Sequence, residues 1–160
     1  MSGRPEDDYI DRVGFREVRI EGKDILVNGE KIYLKGFNRH EDYATVGCAI
    51  PFQLMVQDMD LMQEMNANAV RTCHYPNDER FLDLCDERGM YVWEENHARG
   101  FGLERMQNPN FDVQCRDCID EMIGNHFNHP SIIIWGILNE CASETEEGRE
   151  KYARQYAQIR

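Results

Sequence analysis

The sequence predicts an α/β fold: a partial (β/α)8 TIM barrel of about four β-α units, preceded by a short β-hairpin. Short apolar segments alternate with helical segments, which is typical of a parallel sheet with right-handed crossovers. A polar cluster follows each predicted core strand, as at the carboxyl-end rim of a barrel. A complete barrel has eight units and typically about 250 residues. With 160 residues, this chain is predicted to supply about half of one.

The individual elements are predicted from turn signals and periodicity. Asn28-Gly29 is a strong hairpin signal, since both turn positions favour positive φ, and it follows extended pieces at residues 18–20 and 25–27. Asn77 is the predicted N-cap of the second helix, and Ser143-Glu144-Thr145-Glu146 has the pattern of a capping box before the last helix. Core strands are predicted at residues 32–37, 69–72, 90–93 and 132–138, helices at 52–65, 77–88, 111–125 and from 143 to the C-terminus, and a loop at 98–109.

Two helical stripes predict core packing rather than ligand binding. One consists of methionines at i, i+4 and i+7 spacing, and the other includes a C-x-x-C pair whose spacing matches no common zinc motif. The stripes are Met55, Met59 and Met62, and Phe111, Cys115, Cys118 and Met122. The six cysteines are expected to be free thiols, because no secretion signal is apparent.

Composition excludes several classes of function. The chain is 41% hydrophobic and 30% charged, and 18 Lys+Arg stand against 30 Asp+Glu, giving a formal net charge of -12. This charge argues against a nucleic-acid or anionic-membrane partner. No apolar run approaches the roughly 20 residues of a membrane helix, and the polar, acidic residues 1–11 have no apolar core for a signal peptide, so a cytoplasmic location is expected. Neither GxGxxG nor a P-loop motif is present, which counts against a nucleotide site.

The segment from His129 to Glu140 carries the clearest catalytic signal. Residues 132–138 form an apolar run that suits a strand covered on both faces, and Asn139 and Glu140 follow it abruptly. A carboxyl group at the mouth of an apolar strand is partly desolvated, and a carboxylic acid that stays protonated near neutral pH can act as a general acid. The alternative is that Glu140 only complements the dipole of a following helix.

Similar polar clusters follow the other predicted strands. Because the carboxyl ends of parallel strands meet at one rim, these clusters are expected to form an active site together. They are His40-Glu41-Asp42, Arg71-Thr72-Cys73-His74, Glu94-Glu95-Asn96-His97 and Asn139-Glu140.

These residues resemble the catalytic barrel of family 2 glycoside hydrolases, the group of β-galactosidases and β-glucuronidases. The matching pieces run in the family's order from Gly14 to Cys141. They are Gly14-Phe15-Arg16, Leu26-Val27-Asn28-Gly29, Gly36-Phe37-Asn38-Arg39-His40-Glu41, Arg71-Thr72-Cys73-His74-Tyr75-Pro76, Cys85-Asp86-Glu87-Arg88-Gly89, His129-Pro130-Ser131-Ile132-Ile133-Ile134-Trp135 and Asn139-Glu140. On this resemblance, residues 14–160 are the first half of the catalytic domain, and residues 1–13 are a tail or the remnant of a preceding immunoglobulin-like domain.

The resemblance implies a role for each rim residue. Glu140 is similar to the general acid/base, and Asn139 to the residue that bonds the sugar 2-hydroxyl. His40 and His74 resemble sugar-contacting histidines, and Arg71 resembles an arginine near the nucleophile. Retaining hydrolysis also needs a second carboxylate about 5–5.5 Å from the first.

The resemblance also implies what this chain does not contribute. The family's nucleophile is a Glu near the seventh strand, and no residue here matches it. Some β-galactosidases hold magnesium through a Glu and a His after the third strand, but Arg99 and Phe101 occupy those places here. No metal and no cofactor are therefore expected. The pairs Gly100-Phe101 and Glu41-Asp42 lean towards the glucuronidase branch.

Several alternatives stay open at this point. The expected partner is a β-glycoside or oligosaccharide, but the chain could instead be an interaction module, completed as a homo-oligomer or by a second chain that supplies the other half barrel. It could also be a non-catalytic sugar binder. Glu94 and Glu95 could face sugar or form salt bridges. Structural packing is expected for His126, His129 and Trp93.

Overall fold

The chain begins with a small antiparallel sheet. The computed structural model describes Asp8 and residues 10–160. Strands β1 (Val18–Glu21), β2 (Asp24–Val27) and β3 (Glu30–Ile32) pair in sequence order. Asn28 and Gly29 connect β2 to β3 with φ of 52° and 82°, so the predicted Asn-Gly hairpin is confirmed. The prediction for residues 1–13 falls largely outside the described residues.

A four-stranded parallel sheet with helices on one face forms the main body. Its strands are β4 (Gly36–Arg39), β5 (Ala69–Thr72), β6 (Tyr91–Glu95) and β7 (Ile132–Gly136), in the order β4-β5-β6-β7. The helices are α1 (Phe52–Glu64), α2 (Glu79–Arg88), α3 (Leu103–Met106), α4 (Phe111–His126) and α5 (Glu146–Ile159). No helix in the described part of the chain is long and apolar enough to span a membrane. The predicted fold class, four β-α units after a hairpin, is confirmed.

The core lies between the sheet and the helices. Val70, Val92 and Ile132 point from the sheet into this layer, where Met55 and Met59 of α1 meet them, all at most 2% exposed. The predicted methionine stripe is therefore core. In α4, Phe111, Cys115 and Met122 are buried, while Cys118 is partly exposed. All six cysteines carry free thiols.

The strand predicted at residues 32–37 is wrong, because two strands of different sheets share that run. Ile32 pairs with Ile25 in the antiparallel sheet, whereas Gly36 pairs with Ala69 in the parallel sheet. A side chain at Gly36 would meet the carbonyl oxygen of Ala69. The chain therefore needs a glycine where it enters the second sheet.

Both predicted helix caps shift by one or two residues. Asp78, rather than Asn77, caps α2 by accepting a hydrogen bond from the Arg80 N–H at 2.9 Å. Asn77 is buried and instead accepts a hydrogen bond from Arg39. The capping-box prediction before α5 is also wrong.

Thr145 is the residue that caps α5, where its hydroxyl accepts a hydrogen bond from the Gly148 N–H at 3.0 Å. Two further boundaries differ from the prediction. The segment at 98–109, predicted to be a loop, contains the short helix α3, and the strand predicted to reach residue 138 ends at Gly136.

Candidate active site

Strand alternation determines which polar residues reach the inside of the partial barrel. On β4, Asn38 faces inward while Arg39 faces the helices, and on β5 Arg71 faces inward beside Asn38. Trp93 of β6 and Ile134 of β7 complete this lateral row. The row lines a cavity of about 340 Å³ on the open side of the sheet. The next inward positions, at the carboxyl ends of the strands, form the candidate site.

Glu95 connects three of the predicted site residues to one another. It is the last residue of β6 and is 1% exposed. Its Oε1 accepts hydrogen bonds from Arg71 Nε at 2.8 Å and Nη2 at 2.5 Å, and its Oε2 lies 2.7 Å from His74 Nδ1. Arg71 Nη2 also donates to Asn139 Oδ1 at 2.7 Å. Glu95 therefore fixes Arg71 and His74 directly, and Asn139 through Arg71.

Glu94 lies on the opposite face of β6. It is fully buried, and its Oε1 lies 2.8 Å from Nδ1 of His126 on α4. Burial raises the pKa of Glu94, and the hydrogen bond with His126 offsets part of this increase. Neither Glu94 nor His126 reaches the rim. His129 also lies away from the rim, where its Nδ1 is 2.6 Å from Asp86 Oδ2. These contacts agree with the structural packing expected for both histidines.

The two rim histidines lie close together. The rings of His40 and His74 form an edge-to-face pair with centroids 5.3 Å apart. His40 is exposed and His74 is partly buried. Tyr75 supports this edge, since its hydroxyl oxygen accepts a hydrogen bond from the Glu41 N–H at 3.0 Å. A polar group that enters the rim can therefore contact both imidazoles.

Arg39 and Glu41 belong to the supporting scaffold, although both lie in the rim sequence. Arg39 is 6% exposed, donates to Asp58 at 2.9 Å and stacks 3.9 Å above the Phe81 ring. Glu41 accepts hydrogen bonds from the Asp78 N–H. Burial raises the pKa of Glu41, while the Asp78 N–H and Arg39 act in the opposite direction. These contacts attach the end of β4 to the start of α2.

Glu140 follows β7 in a left-handed backbone conformation, with φ of 49°. Asn139 just before it is tied to the loop after β6, because the Asn139 N–H donates to Ala98 O at 3.0 Å and the Gly100 N–H donates to Asn139 O at 2.8 Å. The side chain of Glu140 is exposed and has no hydrogen-bond partner among the described residues. The described part of the chain therefore does not bury the Glu140 carboxyl group, although burial at the end of the strand was expected.

Trp93 departs from the packing expected for it. The indole is 40% exposed on the inward face, and the Arg71 guanidinium lies 5.0 Å from its centroid. A side chain at Gly136 would collide with the indole nitrogen. Trp93 therefore forms the floor beneath Arg71 in the open cavity.

The fold and the rim together define a class of protein. A parallel β/α sheet that presents two histidines, an arginine, an asparagine and a glutamate at its carboxyl-end rim has the groups with which barrel enzymes bind and cleave sugars. The model of glycosyl hydrolases family 2, TIM barrel domain, matches residues 18–159. The chain belongs to this family, as its sequence motifs predicted.

Individual relatives are similar over most of this chain. A β-galactosidase from Alteromonas mediterranea is 40% identical over 144 residues, covering 88% of this chain and 14% of that protein. The family 2 β-galacturonidase from Eisenbergiella tayi, solved with galacturonate bound, is 65% identical with a TM-score of 0.91, covering 93% of this chain and 27% of that one. The β-glucuronidase from Ruminococcus gnavus in complex with C6-substituted uronic isofagomine is 35% identical with a TM-score of 0.86, covering 91% and 25%.

The chain thus spans about a seventh of the curated relative and about a quarter of each solved one. The likeness is therefore to one segment of larger proteins.

Proposed function

We propose that this chain contributes the general acid/base half of the active site of a retaining β-glycosidase. The observation that carries the proposal is the network that joins Glu95 to Arg71, His74 and Asn139, with Glu140 next to Asn139. In this role Glu140 protonates the departing glycosidic oxygen and then removes a proton from the attacking water. Asn139 holds the sugar 2-hydroxyl, and His40 and His74 bind other hydroxyl groups.

The second carboxylate comes from outside this chain in our proposal. Glu95 is poorly placed to attack the sugar, because it is 1% exposed and its carboxylate is held by Arg71 and His74. Glu144, Glu146 and Glu147 lie at or near the start of α5 rather than on a strand, and they are poor substitutes for the nucleophile. The remaining strands of the barrel therefore supply the nucleophile, and the isolated chain is expected to have no hydrolytic activity.

For the substrate we propose a β-linked uronic acid, with galacturonide as the first candidate. The support is the 65% identity with the β-galacturonidase from Eisenbergiella tayi, against 35% with the β-glucuronidase from Ruminococcus gnavus. A cytoplasmic location, expected from the sequence, stays a prediction.

A chimera tests the catalytic assignment directly. This chain replaces its aligned segment in the Eisenbergiella tayi β-galacturonidase, and hydrolysis of aryl β-galacturonides is measured. Glu140→Gln is expected to lower kcat by about 10²–10⁴-fold on a phenol leaving group, the usual contribution of general acid catalysis. The loss in the glycosylation step should be much smaller for a strongly acidic phenol, which departs without protonation.

Glu144→Gln is the matched control, because Glu144 is exposed and only four residues away. It is expected to keep the activity of the unmodified chimera. A near-normal rate for Glu140→Gln, or an equal loss for both leaving groups in kcat/KM, which reports the glycosylation step, would contradict the acid/base assignment. Making the same exchange in the Ruminococcus gnavus β-glucuronidase, and comparing galacturonide, glucuronide and galactoside with the same leaving group, tests the substrate proposal separately, because a shift towards galacturonide in that host would come from this chain.

The open inner face supports a second candidate, in which a second copy of this chain completes the barrel. A two-fold pairing would bring a second Glu140 to the rim. Aryl glycoside turnover by the purified chain, together with a dimeric mass, would favour this candidate, and both would have to disappear on dilution.

A further inference from the structure

Three residues at the ends of β4 and β5 form a cluster that the hydrolytic reaction does not require as a unit. The register of these strands pairs Arg39 with Thr72, so the next positions place His40 beside Cys73, and His74 follows. One potential ligand atom from each of His40, Cys73 and His74 lies within 4.8 Å of the other two. Cys73 is 1% exposed at the base of the cluster, and His40 is exposed at its mouth.

The donor set selects a particular class of cation. Two imidazoles and a thiolate suit zinc and other borderline or soft transition metals, whereas magnesium and calcium prefer oxygen ligands. Donors around tetrahedral zinc are roughly 3.4–3.6 Å apart, given Zn–N and Zn–S bonds of about 2.0–2.3 Å. The three donors lie within 4.8 Å of one another, so a bound metal would draw them closer together, and the exposed His40 side chain, which has no hydrogen-bond partner in the described part of the chain, is the one most free to move.

Glu95 already supplies the outer contact that a zinc-bound histidine usually has. Its Oε2 lies 2.7 Å from Nδ1 of His74, which leaves Nε2 of that ring as the metal ligand. A carboxylate in this position orients the imidazole and raises its basicity, and its loss typically lowers metal affinity 10–100-fold. The cluster therefore has an outer contact as well as three donors.

The cationic side chains near Cys73 favour its thiolate form, and each of them is paired with a carboxylate. Arg71 and Arg39 both act on the thiol electrostatically. Arg71 is paired with Glu95, and Arg39 is paired with Asp58 and Glu41. Carboxylates therefore offset both guanidinium charges, and a divalent cation is not excluded from the site.

We propose that His40, Cys73 and His74 bind a zinc-class transition metal with three protein ligands and an open fourth position. Binding of the metal would displace sugar, because His40 and His74 are also the proposed sugar contacts. That consequence rests on the proposed function, whereas metal binding itself does not. The site is separate from the positions of the magnesium site of some β-galactosidases, which carry Arg99 and Phe101 here.

Titration of the 160-residue chain with Co²⁺ tests the site without any activity measurement. We expect one cobalt per chain and a thiolate-to-cobalt charge-transfer band, both reversed by Zn²⁺. Cys73→Ser should abolish the band, and His40→Gln, at an exposed position, should weaken binding at least tenfold. Cys118→Ser, at a partly buried thiol on α4, is the matched control and should leave the titration unchanged.

The pH dependence provides a second measurement. The Cys73 thiol must lose its proton, and both imidazoles must be neutral, to bind the metal. Cobalt affinity should therefore increase as the pH rises from 6 to 8, by on the order of tenfold per pH unit for each proton that binding releases. A missing band, a band that persists in Cys73→Ser, or one that disappears when the exposed thiol Cys48 is replaced in Cys48→Ser would overturn the proposal.

The functional consequence is tested in the chimera. If the chimera is active, Zn²⁺ should inhibit it competitively with the glycoside, and Cys73→Ser should relieve the inhibition. Inhibition that Cys73→Ser leaves unchanged would overturn the displacement of sugar. If the chimera proves inactive, the proposed function fails, and the cobalt titration still decides whether the metal site exists.

Discussion

Glu95 is the buried carboxylate that links two of the predicted site residues directly and a third through Arg71. Its carboxylate orients Arg71 and His74, and Arg71 in turn holds Asn139. A buried carboxylate with such partners is costly to alter, because removal of its charge leaves the cation beside it uncompensated. The role of Glu95 in our interpretation is to position the groups that contact the sugar.

Glu95→Gln tests this positioning role. The substitution keeps the shape of the side chain but removes the charge that pairs with Arg71. We expect the free energy of unfolding of the chain to fall by roughly 3 kcal/mol, at the lower end for a buried pair because Arg71 retains some contact with solvent. In the chimera, kcat/KM should fall about 10²-fold through misplacement of the sugar contacts.

Urea unfolding and aryl galacturonide kinetics provide the two measurements. Glu104→Gln, at an exposed position on α3, is the control and should change neither quantity. A loss of stability with unchanged kcat/KM in the chimera would show that Glu95 has only a structural role.

The sequence predicted where in the fold the candidate residues lie but not how they contact one another. His40, Arg71, His74, Asn139 and Glu140 were all expected at the carboxyl ends of strands, and all lie there. Their roles in catalysis and binding stay predictions. The contacts between them depend on the side chain that enters from the neighbouring strand, which sequence alone does not specify.

Glu94 and Glu95 illustrate this limit. Two adjacent carboxylates on a strand must point to opposite faces. Since Val92 packs in the helix-facing core, alternation from that residue would have assigned Glu94 to the helices and Glu95 to the rim. The register shift between Val92 and Trp93 shows why the pairing partners could not be predicted with the same ease.

At the scale of elements, strongly periodic segments were predictable and their boundaries were less so. The methionine stripe of α1 and the Asn28-Gly29 turn are local signals and are confirmed. The first residues of α2 and α5 were harder to predict, because several neighbouring polar residues could each have capped the helix. Asn77 was unavailable as a cap because the buried Arg39 binds its side chain.

Thr145→Ala tests the corrected start of α5. The Thr145 hydroxyl accepts the Gly148 N–H, so its removal should lower the free energy of unfolding by about 1 kcal/mol, the usual cost of losing a cap. Ser143→Ala is the matched control. Ser143 is exposed, and its replacement should change the free energy of unfolding by no more than about 0.5 kcal/mol. Urea denaturation would support the original capping box instead if Ser143→Ala had the larger effect.

At the scale of the whole molecule, the inner face of the parallel sheet is left uncovered by the described part of the chain. The helices cover the outer face, but the inward row of Arg71, Trp93 and Ile134 lines an open cavity, and β4 and β7 are the outermost strands of the four-stranded sheet. Open strand edges and exposed apolar surface favour association with further strands. In the proposed enzyme, the rest of the barrel covers this face.

The solvent exposure of Trp93 measures whether further strands cover the inner face of the sheet. The indole is 40% exposed in the chain and lies below the rim, in the middle of β6. Acrylamide quenching of its fluorescence, assigned by difference with Trp93→Phe, should be strong in the chain and several-fold weaker in the chimera, where the added strands close the barrel. Trp135 packs against the helix-facing core, so its quenching should be similar in both proteins. Equal quenching of Trp93 in the two proteins would mean that the added strands do not cover this face, and the half-barrel interpretation of the chain would then be wrong.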